Sequence, residues 1–314
     1  MRGRREPVNV VLATNDAYGL YCATAVRSLL AAAAEPSAYV IHVLTTGLSS
    51  RAFGIMDRVA RSHQALLKIH EIELGDVGKL PTLKHISADT YSRILAPDLL
   101  PKVDRFIYLD CDVVVTDDLT PLHDSDMHGA VVAGVVHRNA NFAAEFVARH
   151  GLSAPVDYVN AGVLLIDAAA WRREAATPAV IDWVTRNQSI VAFADQCAIN
   201  HHFRNRIHLI HPRWNVEARH YRERLNGVVF DADMQAAMQD PAVIHYTGPI
   251  KPWMFVDYVP RREVFLSHLR AVVDAADIPR TSLADRLRNA ARIATGSARF
   301  RAGRLLRQLG LRRG

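Results

Sequence analysis

The chain of 314 residues is half hydrophobic and 22% charged. That composition excludes a disordered protein and leaves room for one large α/β domain with appendages, or for about two domains. No run of about 18 apolar residues occurs, which excludes a membrane-spanning helix. The net charge is +6, but residues 280–314 hold ten arginines against one acid, Asp285, so the body is close to neutral. A fold that grips nucleic acid usually has a basic body, so no specific nucleic-acid partner is expected.

The opening, MRGRREPVNVV, has neither a long apolar segment nor a small-residue cleavage site and does not read as a signal peptide. Residues 8–14 are β-branched and apolar and read as a buried parallel strand. A helical pattern follows the turn-forming Asn15-Asp16, with apolar positions at Tyr21, Ala25, Leu29 and Leu30, and ends near Pro36; then come a strand over 39–44, a helix over 49–62 and a strand over 67–72. This β-α-β-α-β order predicts a parallel sheet with crossover helices and a ligand site at the carboxyl ends of its strands. Further on, strands are expected at 105–109, 113–115, 130–136, 162–166, 207–210 and 243–246, and helices at 87–96, 178–186 and 195–202. A boundary is expected after Pro260, giving a body over 7–260 and a helical extension over 261–314. Cys22, Cys111 and Cys197 lie among apolar residues with no C-x-x-C pair. They read as reduced thiols of a cytoplasmic chain and argue against cysteine-held zinc.

Asp110-Cys111-Asp112 follows the strongest strand directly. Two carboxylates beside an apolar strand repel each other and lose solvation, and a divalent cation relieves both costs. Hard oxygen ligands suit Mg²⁺ or Mn²⁺. His245 lies at another expected strand end; an imidazole beside oxygen donors tilts the choice towards Mn²⁺. Lys251, six residues on, can meet a phosphate as a point charge. Asn160-Ala161-Gly162 reads either as a turn before a strand or as an amide with small neighbours that lets a sugar approach the backbone. Asp195 reads either as a helix N-cap or, with Gln196, as a pair of hydroxyl-binding groups in a cleft. Arg93 is either a helix-surface charge or an anion clamp.

Taken together in order, these segments resemble the family 8 retaining glycosyltransferases, especially the bacterial lipopolysaccharide galactosyltransferases and, more distantly, glycogenin. The resemblance rests on Ala13-Thr14-Asn15-Asp16-Ala17-Tyr18, His85-Ile86-Ser87, Thr90-Tyr91-Ser92-Arg93 and Tyr108-Leu109-Asp110-Cys111-Asp112. It continues through Asp118-Leu119-Thr120-Pro121-Leu122, Asn160 to Leu165, Trp171 and Asp195-Gln196. It ends at His245-Tyr246-Thr247-Gly248 with Lys251-Pro252-Trp253, and spans about residues 8–260.

The resemblance implies a GT-A fold: an α/β, Rossmann-like nucleotide-diphospho-sugar transferase with a mixed, mostly parallel sheet flanked by helices. It implies Mn²⁺, with Mg²⁺ as the alternative, held by Asp110, Asp112 and His245. It places uridine near Ala13, Asn15 and Tyr18, with Cys111 and Ala161 also lining the donor site. Arg93, Asn160, Asp195 and Gln196 are expected at the transferred sugar, as the catalytic set, and Gly248 and Lys251 at the phosphates. The sequence departs from the family at Asn15, where aspartate is common, at Ala17, where asparagine is common, and at His137, where an acid is common.

The function expected is a Mn²⁺-dependent retaining hexosyltransferase that uses UDP-galactose or UDP-glucose and a glycan or glycolipid acceptor. A glycogenin-like self-glucosylating enzyme and a non-catalytic sugar-nucleotide-binding member are the alternatives. The tail places Leu283, Leu287, Ile293, Phe300, Leu305, Leu306 and Leu309 among arginines. It reads as a basic amphipathic helix for an anionic membrane surface. A peripheral enzyme on the cytoplasmic side of the plasma membrane is therefore expected.

Overall fold

A computed structural model describes residues 6–72, 88–138, 146–149, 157–187, 194–254 and 259–273, with residues 284 and 287. The His85-Ile86-Ser87 segment and the rest of the arginine-rich tail lie outside the described residues.

The first half runs β1 (Val8–Thr14), α1 (Gly19–Ala32), β2 (Tyr39–Thr45), α2 (Ser50–Ser62), β3 (Leu66–Glu71), α3 (Ala88–Leu99), β4 (Arg105–Leu109), β5 (Val113–Val115) and the single turn α4 (Thr120–His123). Then follow β6 (Val132–Val136), β7 (Val159–Asp167), α5 (Ala168–Arg173), α6 (Ala176–Arg186), α7 (Ala194–His202) and β8 (Ile207–Leu209). The last elements are β9 (Val216–Glu217), α8 (Ala218–Leu225), α9 (Ala232–Gln239), β10 (Val243–His245) and α10 (Arg262–Val272).

Seven strands form the main sheet in the order β3-β2-β1-β4-β7-β6-β8. Strands β1 to β4 pair in parallel, with Val10 opposite both Ile41 and Ile107. The sheet is mixed because β7 runs antiparallel to both β4 and β6. Alternation along β1 buries both faces: Val10 and Leu12 join a core with α1, α2 and α10, while Val11 faces a second core with Phe106, Tyr108 and Trp171. Phe265, Leu266, Leu269 and Val272 of α10 belong to the first of these cores, so this helix, which follows the expected boundary, packs into the body.

Two expectations are corrected. Asn160-Ala161-Gly162 is not a turn before a strand; it lies within β7, where the pairing with β6 shifts register and just before the pairing with β4 begins at Val163. Asp195 is not an N-cap; α7 begins at Ala194, so Asp195 lies in the first turn. A feature not foreseen is a second, three-stranded sheet, β5-β10-β9. It sets His245 opposite Val113 on one side and Glu217 on the other. Among the described residues no helix is long and apolar enough to cross a membrane.

Candidate active site

The chain order of the main sheet reverses between β1 and β4: the path moves outward through β2 and β3, then returns to the other side of β1. Ligands bind at such crossover points, beyond the strands' carboxyl ends. Asp110 is the first residue past β4. Its backbone N–H donates to the Gly162 carbonyl at 2.8 Å, and the Asp112 carbonyl accepts from Tyr246 N–H at 2.9 Å. The Asp-Cys-Asp segment is thus pinned on one side by β7 and on the other by the end of β10. Between the two aspartates, the Cys111 thiol turns away to donate to the Ala13 carbonyl at 3.0 Å.

Asp110, Asp112 and His245 each offer a ligand atom, and these atoms lie within 4.8 Å of one another. His245 Nε2 is 3.3 Å from Asp112 Oδ1 and 3.7 Å from Asp110 Oδ2. Its other ring nitrogen, Nδ1, is 3.0 Å from Asn215 Oδ1. An N–H donated there leaves Nε2 with a lone pair aimed at the carboxylates, the usual way of fixing a metal-ligating histidine. The donor set therefore fits a divalent cation of Mn²⁺ or Mg²⁺ type. Burial would raise the Asp112 carboxyl, but His245 and Lys251 hold it well below the usual range. Burial would discharge His245, yet Asp112 and then Asp110 raise its pKa instead. Lys251 Nζ donates to Asp112 and, at 2.9 Å, to the Tyr246 carbonyl.

Gly162 makes this convergence possible. A Cβ there would lie 2.1 Å from His245 Cε1 and 2.7 Å from Asp110 Oδ2. The absent side chain makes room for His245 and Asp110, and Gly162 also lines the larger cavity described below.

Arg93, on α3, bridges the two halves of the site. One terminal nitrogen donates to Asp110 at 2.8 Å and the other to the Ala161 carbonyl at 2.7 Å. Its Nε lies 2.7 Å from Asp195 Oδ2, in contact as charges but not aligned as a hydrogen bond. The guanidinium stacks over Tyr108, 4.7 Å from the ring centroid. Burial raises the Asp195 carboxyl despite the arginine beside it. Gln196 accepts from Ala161 N–H at 3.0 Å and donates to the Tyr158 hydroxyl at 3.1 Å. Asn160 accepts from Gly162 N–H and from the Asn215 amide, both at 2.9 Å. A chain of hydrogen bonds thus runs from β7 through Asn160 and Asn215 to His245.

Two cavities meet at these residues. One, about 350 Å³, is lined by Ala13, Asn15, Tyr18, Asp110, Cys111 and Lys251, among others. At its rim Tyr18, 40% exposed, stands edge-on to Tyr21 and Trp253, which stack at 3.7 Å. Asn15 Oδ1 accepts from Tyr18 N–H at 3.2 Å, capping the short turn that presents the ring. The other cavity, about 470 Å³, is walled by Asn160, Asp195, Gln196, Glu217, His245 and Gly248, among others. Arg93, Asp110, Asp112 and Lys251 line both. The structure therefore brings every expected site residue except Ala161 to a cavity wall; Ala161 lies behind the wall, its carbonyl held by Arg93 and its N–H by Gln196.

Asn215 and Glu217 were missed in the sequence, because no run of apolar residues announces the two-residue β9 or the short turn, ending at Asn215, that leads into it. Glu217 is buried. Burial would raise its carboxyl, but His137 and Arg219 hold it far below the usual range. His137 Nδ1 lies 3.5 Å from Glu217 Oε1, so the acid absent from position 137 is supplied beside it from another strand.

The sequence profile described as Glycosyl transferase family 8 matches residues 9–256. General stress protein A of Bacillus subtilis (strain 168) is 23% identical over 271 residues, covering 84% of this chain and 93% of that protein. The lipopolysaccharide 1,3-galactosyltransferase of Salmonella typhimurium is 24% identical over 266 residues, covering 80% of this chain and 76% of that one. Among solved structures, the galactosyltransferase LgtC in complex with donor and acceptor sugar analogues superposes with a TM-score of 0.74. It has 25% identity, with 86% of this chain and 98% of that one covered.

Proposed function

The chain belongs to glycosyltransferase family 8 and is a glycosyltransferase of GT-A fold; from that premise we propose that it transfers galactose or glucose from a UDP-sugar to a glycan or glycolipid acceptor, with retention of configuration. The observation that carries this reading is the Asp110–Asp112–His245 cluster at the junction of two cavities, one with an aromatic rim and one lined by polar groups. Uridine fits against Tyr18, the diphosphate at the metal-binding cluster, and the hexose beside Asp195 and Gln196. The lipopolysaccharide galactosyltransferase named above and a lipopolysaccharide 1,2-glucosyltransferase of Escherichia coli, 24% identical over 258 residues, support a hexose donor.

Asp110, Asp112 and His245 would hold Mn²⁺, which supplies positive charge to the departing diphosphate. Lys251 adds a second positive charge on the same side once donor phosphate competes for its ammonium. Arg93 keeps Asp110 and Asp195 apart in charge and fixes both. Its pairing with Asp195 draws electron density from the nearest carboxylate to the sugar, which disfavours that group as a nucleophile. Same-face attack by the acceptor hydroxyl, its proton passing to the leaving phosphate, then accounts for retention. Gln196, with its carbonyl oriented by Ala161 N–H, lends a dipole to the positive anomeric centre. The arginine-rich tail supports a peripheral position at an anionic, cytoplasmic membrane face.

UDP release from a panel of UDP-sugars, with Mn²⁺, Mg²⁺ or EDTA, tests this reading. Metal-dependent release from one hexose donor, lost in Asp112→Ala, is expected. Absence of both UDP-sugar turnover and UDP-sugar binding would overturn it.

A further inference from the structure

Beyond Thr247 and Gly248 lies a third cavity of about 240 Å³. It shares Arg219, Thr247 and Gly248 with the 470 Å³ cavity. Gly248 turns the rim with φ +86°, and a Cβ there would meet nothing within 4 Å, so the rim is uncrowded at that position. The far wall is mostly apolar: Tyr246, Pro249, Ile250, Val259 and Pro260. Set among them is Arg222, half-buried.

The two arginines of this groove differ. Arg219 is fully committed: Nε and one terminal nitrogen hold Glu217 at 2.7 and 2.9 Å, and the other terminal nitrogen holds Glu223 at 3.0 Å. Arg222 makes no side-chain ion pair or hydrogen bond among the described residues; Glu223, its neighbour in sequence, feels its charge but is held by Arg219. A guanidinium drawn partly out of water into an aliphatic wall is costly unless an anion meets it. One turn further along the same helical face, three residues on, Leu225 is 81% exposed, and Val229 in the following loop is 89% exposed. Two exposed apolar side chains thus follow the cavity's cation in the chain, outside the residues that line the cavity.

We propose that this groove takes an amphiphilic acceptor: a saccharide joined through a phosphate to an aliphatic chain. The sugar lies in the catalytic cavity, the phosphate meets Arg222, and the chain leaves over Leu225 and Val229. The assignment rests on the transferase reading above and names the class of its acceptor. A neutral oligosaccharide would leave both Arg222 and the apolar wall unused. A free anionic sugar would leave the apolar wall unused.

Calorimetry of the full chain with dodecyl phosphate below its micelle concentration tests the groove, with inorganic phosphate and dodecyl maltoside as comparators. Dodecyl phosphate is expected to bind at least about tenfold more tightly than either comparator, and to lose about tenfold in Arg222→Ala, since charge-assisted contacts are the strong ones. Leu225→Ser, a fully surface change that leaves folding intact, is expected to weaken dodecyl phosphate and leave inorganic phosphate unaltered. Equal binding to wild type and both variants, as capture by the basic tail would give, overturns the proposal. Phosphatidylglycerol vesicles separate the acceptor from a bilayer lipid: vesicle binding is expected to survive both substitutions. Its loss in both would make the groove a membrane-docking face and overturn the acceptor assignment. UDP release by the wild-type chain is measured alongside. Turnover without Arg222-dependent binding sinks the groove alone; Arg222-dependent binding without donor turnover or donor binding sinks the transferase reading instead.

Discussion

Gly162 and His245 compete for the same space: the imidazole Cε1 lies 2.1 Å from where a Cβ on residue 162 would be. Gly162→Ala must therefore push the imidazole away from Asp110 and Asp112. Mn²⁺ affinity, read by electron paramagnetic resonance, is expected to fall at least about tenfold, in line with other disturbances of ligand placement. Unchanged affinity would show that His245 is not a ligand.

Asn215 holds His245 Nδ1 at 3.0 Å and is itself held by Asn160. Asn215→Ala frees the ring to rotate. The expected cost is about 10–100-fold in metal affinity, with the unfolding midpoint little moved. Titration of Mn²⁺ into both proteins, beside a thermal melt, checks it.

Arg93→Ala leaves Asp110 and Asp195 facing each other across a buried site. Breaking a buried pair by removing one partner costs about 3–5 kcal/mol, so denaturant unfolding is expected to shift by that order and UDP release to vanish. Arg93→Lys is expected to recover little, because an ammonium cannot reach Asp110, Asp195 and the Ala161 carbonyl together.

Tyr18 stands at the rim of the cavity assigned to uridine, edge-on to Tyr21 and Trp253. Stacking of a base on an aromatic ring is worth about 1–3 kcal/mol. Tyr18→Ala is expected to raise the Kd for UDP about tenfold and to leave Mn²⁺ affinity in the absence of nucleotide unchanged. Isothermal calorimetry separates the two.

His42 is buried between His70 Nε2 at 3.0 Å and Asn9 Oδ1 at 3.2 Å. Burial, with His70 and Lys68 nearby, lowers its pKa to about 4. An unfolded histidine titrates near ~6.5, so between those values the unfolded chain binds a proton that the folded chain refuses. Stability therefore falls as pH drops from about 6.5 to about 4. His42→Gln is expected to flatten that slope by about one proton, measured as unfolding free energy against pH.

How much of this was legible depended on the range of the interaction. The strand over Val8–Thr14 and the Asp-Cys-Asp segment announce themselves because burial on both faces gives an unbroken β-branched run. The resemblance carried His245 and Lys251 to the same site. What escaped was set by pairing between distant short strands. Glu217 lies on a two-residue strand whose only signal is its partner, β10, and Asn215 ends the short turn that leads into it. Asn160-Ala161-Gly162 looked like a turn because small and amide residues favour turns; Asp110, Gln196 and Arg93, all distant in sequence, bond its backbone within β7 instead. Arg93 was undecided on its helix because its two carboxylate partners, Asp110 and Asp195, come from other elements.

The packing of α10 against α1 has a consequence for synthesis. Arg27 meets His268 at 2.7 Å, and Phe265, Leu266 and Leu269 complete the core on which the first helix rests. His245 and Lys251 leave the ribosome only shortly before them. A nascent chain can build β1 to β4 early, yet it has neither His245 nor the cover over its first helix until residues 245–269 have been made. The candidate site and the closed body therefore arrive together, and a chain broken off short of residue 245 carries Asp110 and Asp112 without the histidine that completes their cluster.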